Sequence, residues 1–432
     1  MFDHTLINEL KKQQEYCTRS NLPRASDSWY HITMYTPPDA LLKKYADVLI
    51  KFALWSGRGI DPGDVVSVTI SESAKPLLKH LQRSIMEAGG HLMLNYQPDG
   101  LSRDYFELAT PEQIGWLPKE YLLERVKAAT HFVGVISEYD KHELEGIDSK
   151  KIMERGRLMK PIMDARRDKE DAGQLTWTLG LYGTPAMAAE VGMTEEEYWG
   201  EIIKACYLDE ADPIAKWKEL FVQIEGTKDK LNALPIESVH IKGTDVDLQV
   251  KLGADRKWLG GSGRNIPSFE LFISPDWRGT SGWIKFNQPL YRYGMMIKGV
   301  ELEFKDGLVV ASKASENERA LQDMIAQENA DKIGEFSLTD HRYSRITRFM
   351  GETLYDENVG GTYGNTHIAL GMAYRDSYVG NPKDIPEHQW KAMGFNDSAV
   401  HTDIVSTTDR TVTATLKDGT QKVIYKNGEF QV

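Results

Sequence analysis

The sequence predicts an α/β protein: an N-terminal Rossmann-like domain built on a parallel sheet, followed by a β-rich α+β domain. Three observations carry that expectation. Strand-like and helix-like stretches alternate through the first half, the pattern of a parallel sheet with helices on its faces. After Pro235 the texture changes to short strands punctuated by glycine. The chain is 432 residues long, too long for one ordinary core. The division is expected at residues 1–215 and 216–432, in or near a helix predicted over about 213–234.

The elements follow in order. Leu41, Leu42, Tyr45, Val48, Leu49, Phe52 and Ala53 recur at helical spacing and predict a helix over 39–55, closed by the Gly- and Pro-containing stretch 57–63. Residues 65–70, β-branched except for Ser67, read as a strand; 74–89 reads as a helix stopped by Gly89-Gly90. A strand over 91–96, a helix over 118–129 and a strand over 131–136 continue the alternation. The turn after Ile70 is Ser71-Glu72-Ser73-Ala74, without Gly-x-Gly-x-x-Gly, so a nucleotide-binding role is not expected of this domain. Residues 194–234 read as mostly helical, with Trp199, Ile202, Ile203, Trp217, Leu220, Phe221 and Ile224 as core contacts.

Beyond Pro235, residues 238–242, 245–252, 270–274, 282–286, 300–304 and 308–311 are strand-like. One helix interrupts them over 316–329, where Leu321 and Ile325 stand four apart. The end is a meander: strands over 411–416 and 422–425 flank an Asp418-Gly419 turn, and Asn427-Gly428 leads into a last short strand. Asp-Gly and Asn-Gly are strong hairpin signals because both central residues accept positive φ.

The formal charge of -12 and the absence of basic runs interleaved with aromatics exclude a nucleic-acid partner. The N-terminus turns polar within a few residues and lacks the apolar core of a signal peptide, and the most apolar stretches are only strand-sized, so no membrane span is expected. Cys17 and Cys206 lie far apart with no Cys-x-x-Cys, which suits free thiols in a reducing cytoplasm.

Chemistry concentrates in the second half. His401 and Asp403 stand two apart in a β-branched run, so their side chains leave one face of a strand together. Glu270, Glu335 and His367 supply further donors. Glu270 and Glu335 sit among apolar neighbours (Phe269, Leu271, Phe272; Ile333, Phe336), where an ionised carboxylate is costly unless a cation compensates it. Three carboxylates and two imidazoles suit a pair of divalent ions, and paired ions suit hydrolysis. The C-terminal half is thus expected to be a metal-binding domain.

Asn265-Ile266-Pro267-Ser268-Phe269-Glu270-Leu271-Phe272-Ile273-Ser274-Pro275, Gly334-Glu335, Asp356-Glu357-Asn358, the run from His367 to Tyr374, and Ser398-Ala399-Val400-His401-Thr402-Asp403 follow one another as in a known family. In this the chain resembles the thermophilic-type metallo-aminopeptidases, aminopeptidase S and aminopeptidase T. Strands around 243–248 and 301–307 and the segment 45–66 agree, so the resemblance spans most of the chain. It implies a cocatalytic dinuclear site with Glu270, Glu335, His367, His401 and Asp403 as ligands and Tyr374 at its edge. It also implies a homodimer that releases N-terminal residues from short peptides, with zinc, cobalt, manganese or magnesium as the metal. Either Glu335 or Asp403, each with two oxygens, can bridge the ions. Tyr374 suits a hydrogen bond to the tetrahedral oxyanion, and Glu335 suits proton transfer to the leaving amine.

Two departures from the family form bear on specificity: a longer Gly-rich loop over 359–366, and Phe269 where a small or polar residue is usual. Asp356-Glu357-Asn358 either orients His367 or caps a loop; Trp277, Trp283, Tyr291 and Tyr293 either line a side-chain pocket or pack in the core. His240, His341 and His388 fall in no motif and are expected at the surface. The alternative on the same scaffold is a mononuclear non-haem iron ring-cleaving dioxygenase using His367, His401 and Asp403. Retention of Glu270 and Glu335 argues against it, because an oxygenase needs open coordination positions. A binding protein with an inert site would have broken ligands, and none is broken.

Overall fold

Four strands of the N-terminal half, β1 (Val65–Ser71), β2 (His91–Gln97), β3 (His131–Ile136) and β4 (Thr176–Leu181), run parallel in the order β2-β1-β3-β4. The structure is a computed structural model that describes residues 35–260, 263–292 and 295–432; Cys17 and Tyr293 lie outside the described residues. The central strand β1 buries Val66, Ser67, Val68 and Ile70, as a strand covered on both faces must. β4 escapes the sequence reading because Thr-Trp-Thr-Leu-Gly-Leu is short and mixed. The helices before it, Ser149–Leu158 and Lys160–Asp171, escape for another reason: among their described side chains only Ile162 is buried, so they carry almost no apolar period.

The first helix spans Asp39–Lys51 and ends earlier than its periodicity predicts. There the ladder slips: the Ala53 N–H bonds the Val48 carbonyl, five residues back, and Trp55 and Ser56 take positive φ (47° and 51°). The apolar period continues past the helix because Phe52, Ala53 and Leu54 stay buried, Phe52 against Trp217 at 5.8 Å. The Tyr45 hydroxyl accepts a bond from the Leu181 N–H (2.7 Å) and so fixes this helix to the end of β4. Lys75–Glu87 and Lys119–Ala128 match the next two predicted helices, and Glu195–Ala205 and Pro213–Asn232 the helical region after them.

The second half is antiparallel. Its strands are β5 (Ile236–Gly243), β6 (Val246–Lys251), β7 (Leu259–Gly260), β8 (Glu270–Ile273), β9 (Ser281–Lys285), β10 (Leu290–Arg292) and β11 (Met295–Ile297). They continue with β12 (Glu301–Lys305), β13 (Leu308–Lys313), β14 (Ile333–Thr339), β15 (Asn365–Gly371) and β16 (His401–Ser406). The closing meander is β17 (Arg410–Leu416), β18 (Gln421–Lys426) and β19 (Glu429–Phe430). Eight strands form one sheet in the order β13-β12-β9-β6-β5-β17-β18-β19; five form another, β16-β15-β14-β8-β7; β10 and β11 make a separate hairpin. The helix predicted over 316–329 is confined to Glu318–Ile325, because Asn317 adopts a left-handed φ of 55° just before it. Cys206 is a free, buried thiol. Among the described residues no helix is long and apolar enough to cross a membrane.

Candidate metal centre

The five-stranded sheet places the predicted donors by register. Glu335 lies opposite Ala369, which lies opposite Asp403; Ser337 opposes His367, which opposes Val405. Thr339 opposes Glu270, and Gly371 opposes His401. Directly opposed residues of an antiparallel pair share a face, as do residues two apart on one strand. Glu270, Glu335, His367, His401 and Asp403 therefore all rise from one face of four adjacent strands, drawn from positions up to 133 residues apart in number only because the chain returns to this sheet after each loop. Ala369 and Gly371, small residues on that same face, leave the space the longer carboxylates and imidazoles occupy.

A bulge sets the parity of Glu335. Ile333 pairs with Leu370 while Glu335 pairs with Ala369, so Gly334 is the extra residue. In a regular, unbulged strand Ile333 and Glu335, two apart, would share a face; the bulge sends Ile333 into the core and Glu335 into the site. Only glycine fits there, because a Cβ at 334 would lie 2.2 Å from the Met372 carbonyl oxygen.

The side chains converge. His367 Nε2 lies 3.1 Å from Glu270 Oε2, 3.2 Å from Glu335 Oε1 and 4.0 Å from Asp403 Oδ1. His401 Nε2 lies 3.8 Å from Glu335 Oε2 and 3.6 Å from Asp403 Oδ1. Donor atoms of Glu270, Glu335 and His367 all fall within 4.8 Å of one another. The structure thus brings together all five residues singled out from the sequence. Both imidazoles are oriented from behind: Nδ1 of His367 donates to Asn365 Oδ1 (3.2 Å), and Nδ1 of His401 to the Met372 carbonyl (2.8 Å). Each ring thereby turns its Nε2 toward the carboxylates, the orientation that metal-binding histidines adopt. The Ser337 hydroxyl donates to Glu270 Oε2 at 3.0 Å.

The electrostatics are those of carboxylates crowded in a dry place. Burial pushes Glu335 up to about 7, with Glu270 and Asp403 reinforcing it and His367 opposing. His401 rises to about 9 against the effect of burial, because Asp403 and Glu335 favour its cation; His367 rises for the same reason beside Glu270 and Glu335. Asp403, although buried, is held below its ordinary value by His401 and His367. Protons take the place of cations in such a cluster, and divalent ions satisfy the same charge.

Two further residues belong here. Glu357 is buried, and Glu270 and Asp403 add to the burial that holds its carboxyl well above the usual range. Asn365 connects it to the site: its amide donates to the carbonyls of Glu357 (2.6 Å) and Val359 (2.9 Å) while its oxygen receives His367. The acidic triplet therefore does both things its sequence allows. Asp356 caps the preceding turn through the N–H groups of Met350 (2.6 Å) and Glu352 (2.8 Å), and Glu357 faces the donors. Asn365 stands two before His367 on β15, a same-face spacing that marks it in the sequence; Glu357 follows a four-residue helix and carries no such signal.

Tyr374 stands at the rim with its ring edge-on to His401, centroids 4.8 Å apart, and against Phe272 at 5.7 Å. Burial, reinforced by Glu335 and Asp403, pushes its hydroxyl up, so it remains a donor. Phe269 points away from the donors and stacks on Trp217 at 5.4 Å, a core contact. The Gly-rich loop is tied down where the Tyr363 carbonyl accepts the Tyr425 hydroxyl (3.0 Å). Of the aromatics, Tyr291 lines a cavity that reaches Asp403, Trp277 packs beneath Lys332, and Trp283 is exposed. His240 and His341 pair with Asp247 and Glu429, and His388 is exposed.

Fold and donor set together describe a metal-dependent enzyme, and comparison with known proteins says which kind. The thermophilic metalloprotease (M29) family matches residues 39–430, and the chain belongs to that family. It is 27% identical over 420 residues to aminopeptidase PepS of Streptococcus thermophilus, covering 90% of this chain and 98% of the relative. It is also 27% identical over 418 residues to aminopeptidase T of Thermus thermophilus, covering 90% and 99%. The structure superposes on that of wild-type AmpT from Thermus thermophilus with a TM-score of 0.79 at 23% identity, over 91% of this chain and 99% of the other, which shows a shared fold. The chain is accordingly a metal-dependent aminopeptidase that uses divalent metal. Nothing in these comparisons supports the oxygenase alternative.

Proposed function

We propose that this aminopeptidase is dinuclear, with Glu270, Glu335, His367, His401 and Asp403 as its ligands, and that it releases N-terminal residues from short peptides. One observation carries the reading: the two oxygens of Glu335 face different imidazoles, Oε1 toward His367 (3.2 Å) and Oε2 toward His401 (3.8 Å). A carboxylate in that position would suit a pair of ions, with Glu270 and His367 as the other residues to hold one and His401 and Asp403 the other. Glu270, Glu335 and Asp403, when ionised together, carry one negative charge more than a single divalent ion neutralises.

Bound ions supply an acidified water and a positive charge for the scissile carbonyl. The protein supplies the rest. Its carboxylates receive the substrate's α-ammonium, which confines cleavage to a free N-terminus. Tyr374 donates to the developing oxyanion from the rim. The proton passes to the leaving amine through Glu335, or through Glu357, whose carboxyl is not turned to an imidazole. In this reading residues 1–215 form the scaffold domain and 216–432 the metal-binding one; the enzyme works as a homodimer, as the family resemblance implies, and in the cytoplasm, as its cysteine pattern suits.

The test is hydrolysis of aminoacyl-p-nitroanilides by metal-free protein refilled with zinc, cobalt, manganese or magnesium. Release of p-nitroaniline from free-amine substrates and none from their N-acetyl forms is expected. Equal rates on both forms, or turnover without metal, would remove the proposal.

A further inference from the structure

The cavity beside Asp403 has a chemistry of its own. It measures about 230 Å³, the share of roughly seven or eight waters, so a single long side chain fits it. Its lining holds two groups: Glu357 and Arg292 act electrostatically with Asp403 at the metal-centre end, and Lys141 gathers Glu138, Glu352 and the Tyr291 ring at the other. Among the described residues the far end holds one cation and two carboxylates. Lys141 is almost wholly buried and already engaged: its ammonium donates to the Gly351 carbonyl (2.8 Å), pairs with Glu138 (3.1 Å) and lies 4.3 Å from the centre of the Tyr291 ring. Glu352 is left 3.9 Å from that ammonium, beyond hydrogen-bond length. The Tyr291 hydroxyl oxygen is buried and has no hydrogen-bond partner among the described residues. Nor does Asp356 add a free acceptor, since both its oxygens are turned to backbone N–H groups.

Such an end is short of one positive charge and of hydrogen-bond donors. A carboxylate would face Glu138 and Glu352 with only a committed lysine in its favour. An apolar side chain would leave the Tyr291 oxygen and Glu352 as they are. A guanidinium or ammonium satisfies both groups at once. Burial agrees with this reading, since it pushes Glu352 up to about 7 despite Lys141, the mark of an undercompensated carboxylate.

We propose that this cavity receives the side chain of the substrate's N-terminal residue and selects arginine or lysine there, with Glu352 as the specificity-determining carboxylate and the Tyr291 hydroxyl as a second acceptor. The proposal rests on the aminopeptidase reading of the adjoining metal centre. Arg292 stays outside the selection because it lies at the Asp403 end, where it favours that carboxylate's charge.

The experiment compares kcat/KM of the metal-loaded enzyme for arginyl-, lysyl-, leucyl- and glutamyl-p-nitroanilide. We expect the two basic substrates to exceed leucine at least tenfold. Glu352→Gln should lower the Arg/Leu ratio about tenfold, mainly through KM, and Tyr291→Phe about threefold. L-arginine should bind the wild-type holoenzyme more tightly than L-leucine by calorimetry. A preference for leucine or glutamate overturns the proposal, and so does an Arg/Leu ratio that neither variant moves. If Glu352→Gln does not fold, Tyr291→Phe and the calorimetric comparison decide. Absence of hydrolysis with every substrate would count against the adjoining centre's assignment, while the two amino-acid affinities would still decide this one.

Discussion

Asn365→Ala separates what orients the site from what holds the fold. Asn365 is 1% exposed and makes three contacts: it donates to the carbonyls of Glu357 and Val359 and accepts from His367 Nδ1. Alanine leaves two buried carbonyls without donors. At about 1–3 kcal/mol for each stranded group, the stability loss is roughly 2–6 kcal/mol. An unfolding entropy of about 2.1 cal/mol/K per residue over roughly 400 residues converts this to a fall in Tm of about 2–7 °C. Alanine also frees His367 to rotate or to change tautomer, and loss of such a partner typically costs about 10–100-fold in metal affinity. Asn365→Asp splits the two effects. It still accepts from His367 but no longer donates to either carbonyl, so Tm should fall while metal affinity is kept. Calorimetric titration of a divalent ion into the folded, metal-free proteins, with thermal melts alongside, measures both. Wild-type metal affinity in Asn365→Ala would refute the argument that Asn365 orients His367.

Other outcomes follow from the same geometry. Tyr374→Phe should lower kcat by about 10²–10³ while metal content stays the same, the usual cost of losing one oxyanion donor; an unchanged kcat would reduce Tyr374 to packing against Phe272 and His401. Acid should destabilise the parallel-sheet domain through His131, which is buried between Thr176 Oγ1 and Asp64 Oδ2, each at 2.8 Å. Burial holds its pKa below 6.5, with Asp64 opposing. Asp64 is also depressed: His131 and the Asp61 N–H outweigh its own burial. Both folded values lie below the unfolded ones, so the stability His131 contributes is whole above pH 6.5 and is lost as pH falls through its folded value; Asp64's share goes only below pH 3.8. Between pH 7 and 5 the raised Glu335 and Glu352 carboxyls act in the opposite sense, so the share of His131 is read by difference: acid should lower the Tm of wild type relative to that of His131→Gln, and parallel Tm curves for the two proteins would remove this prediction.

The site was more legible in the sequence than the fold around it, and the reason is local periodicity. A two-residue step on a strand puts His401 with Asp403 and Asn365 with His367 on one face, so a short stretch of sequence already predicts convergence. The motif at Gly334-Glu335 marks a bulge whose sense appears only once β15 is paired beside it. Glu357 could not be placed from its neighbours, because it reaches the donors from the end of a short helix. Nor could the approach of Lys141 to Glu352, which joins segments 211 residues apart by number. In the N-terminal half the apolar period ran past Lys51 because a turn, as well as a helix, can point Phe52 and Leu54 inward. The charged helices before β4 had too few buried positions to register at all.

Metal content per chain tests the central claim most directly. Wild-type protein titrated with a divalent ion and analysed by mass spectrometry of its metals should saturate at two ions per chain, and Glu335→Gln, lacking the bridging carboxylate, at one or none. Full turnover with a single ion per chain, or two ions bound as tightly by Glu335→Gln as by the wild type, would contradict it.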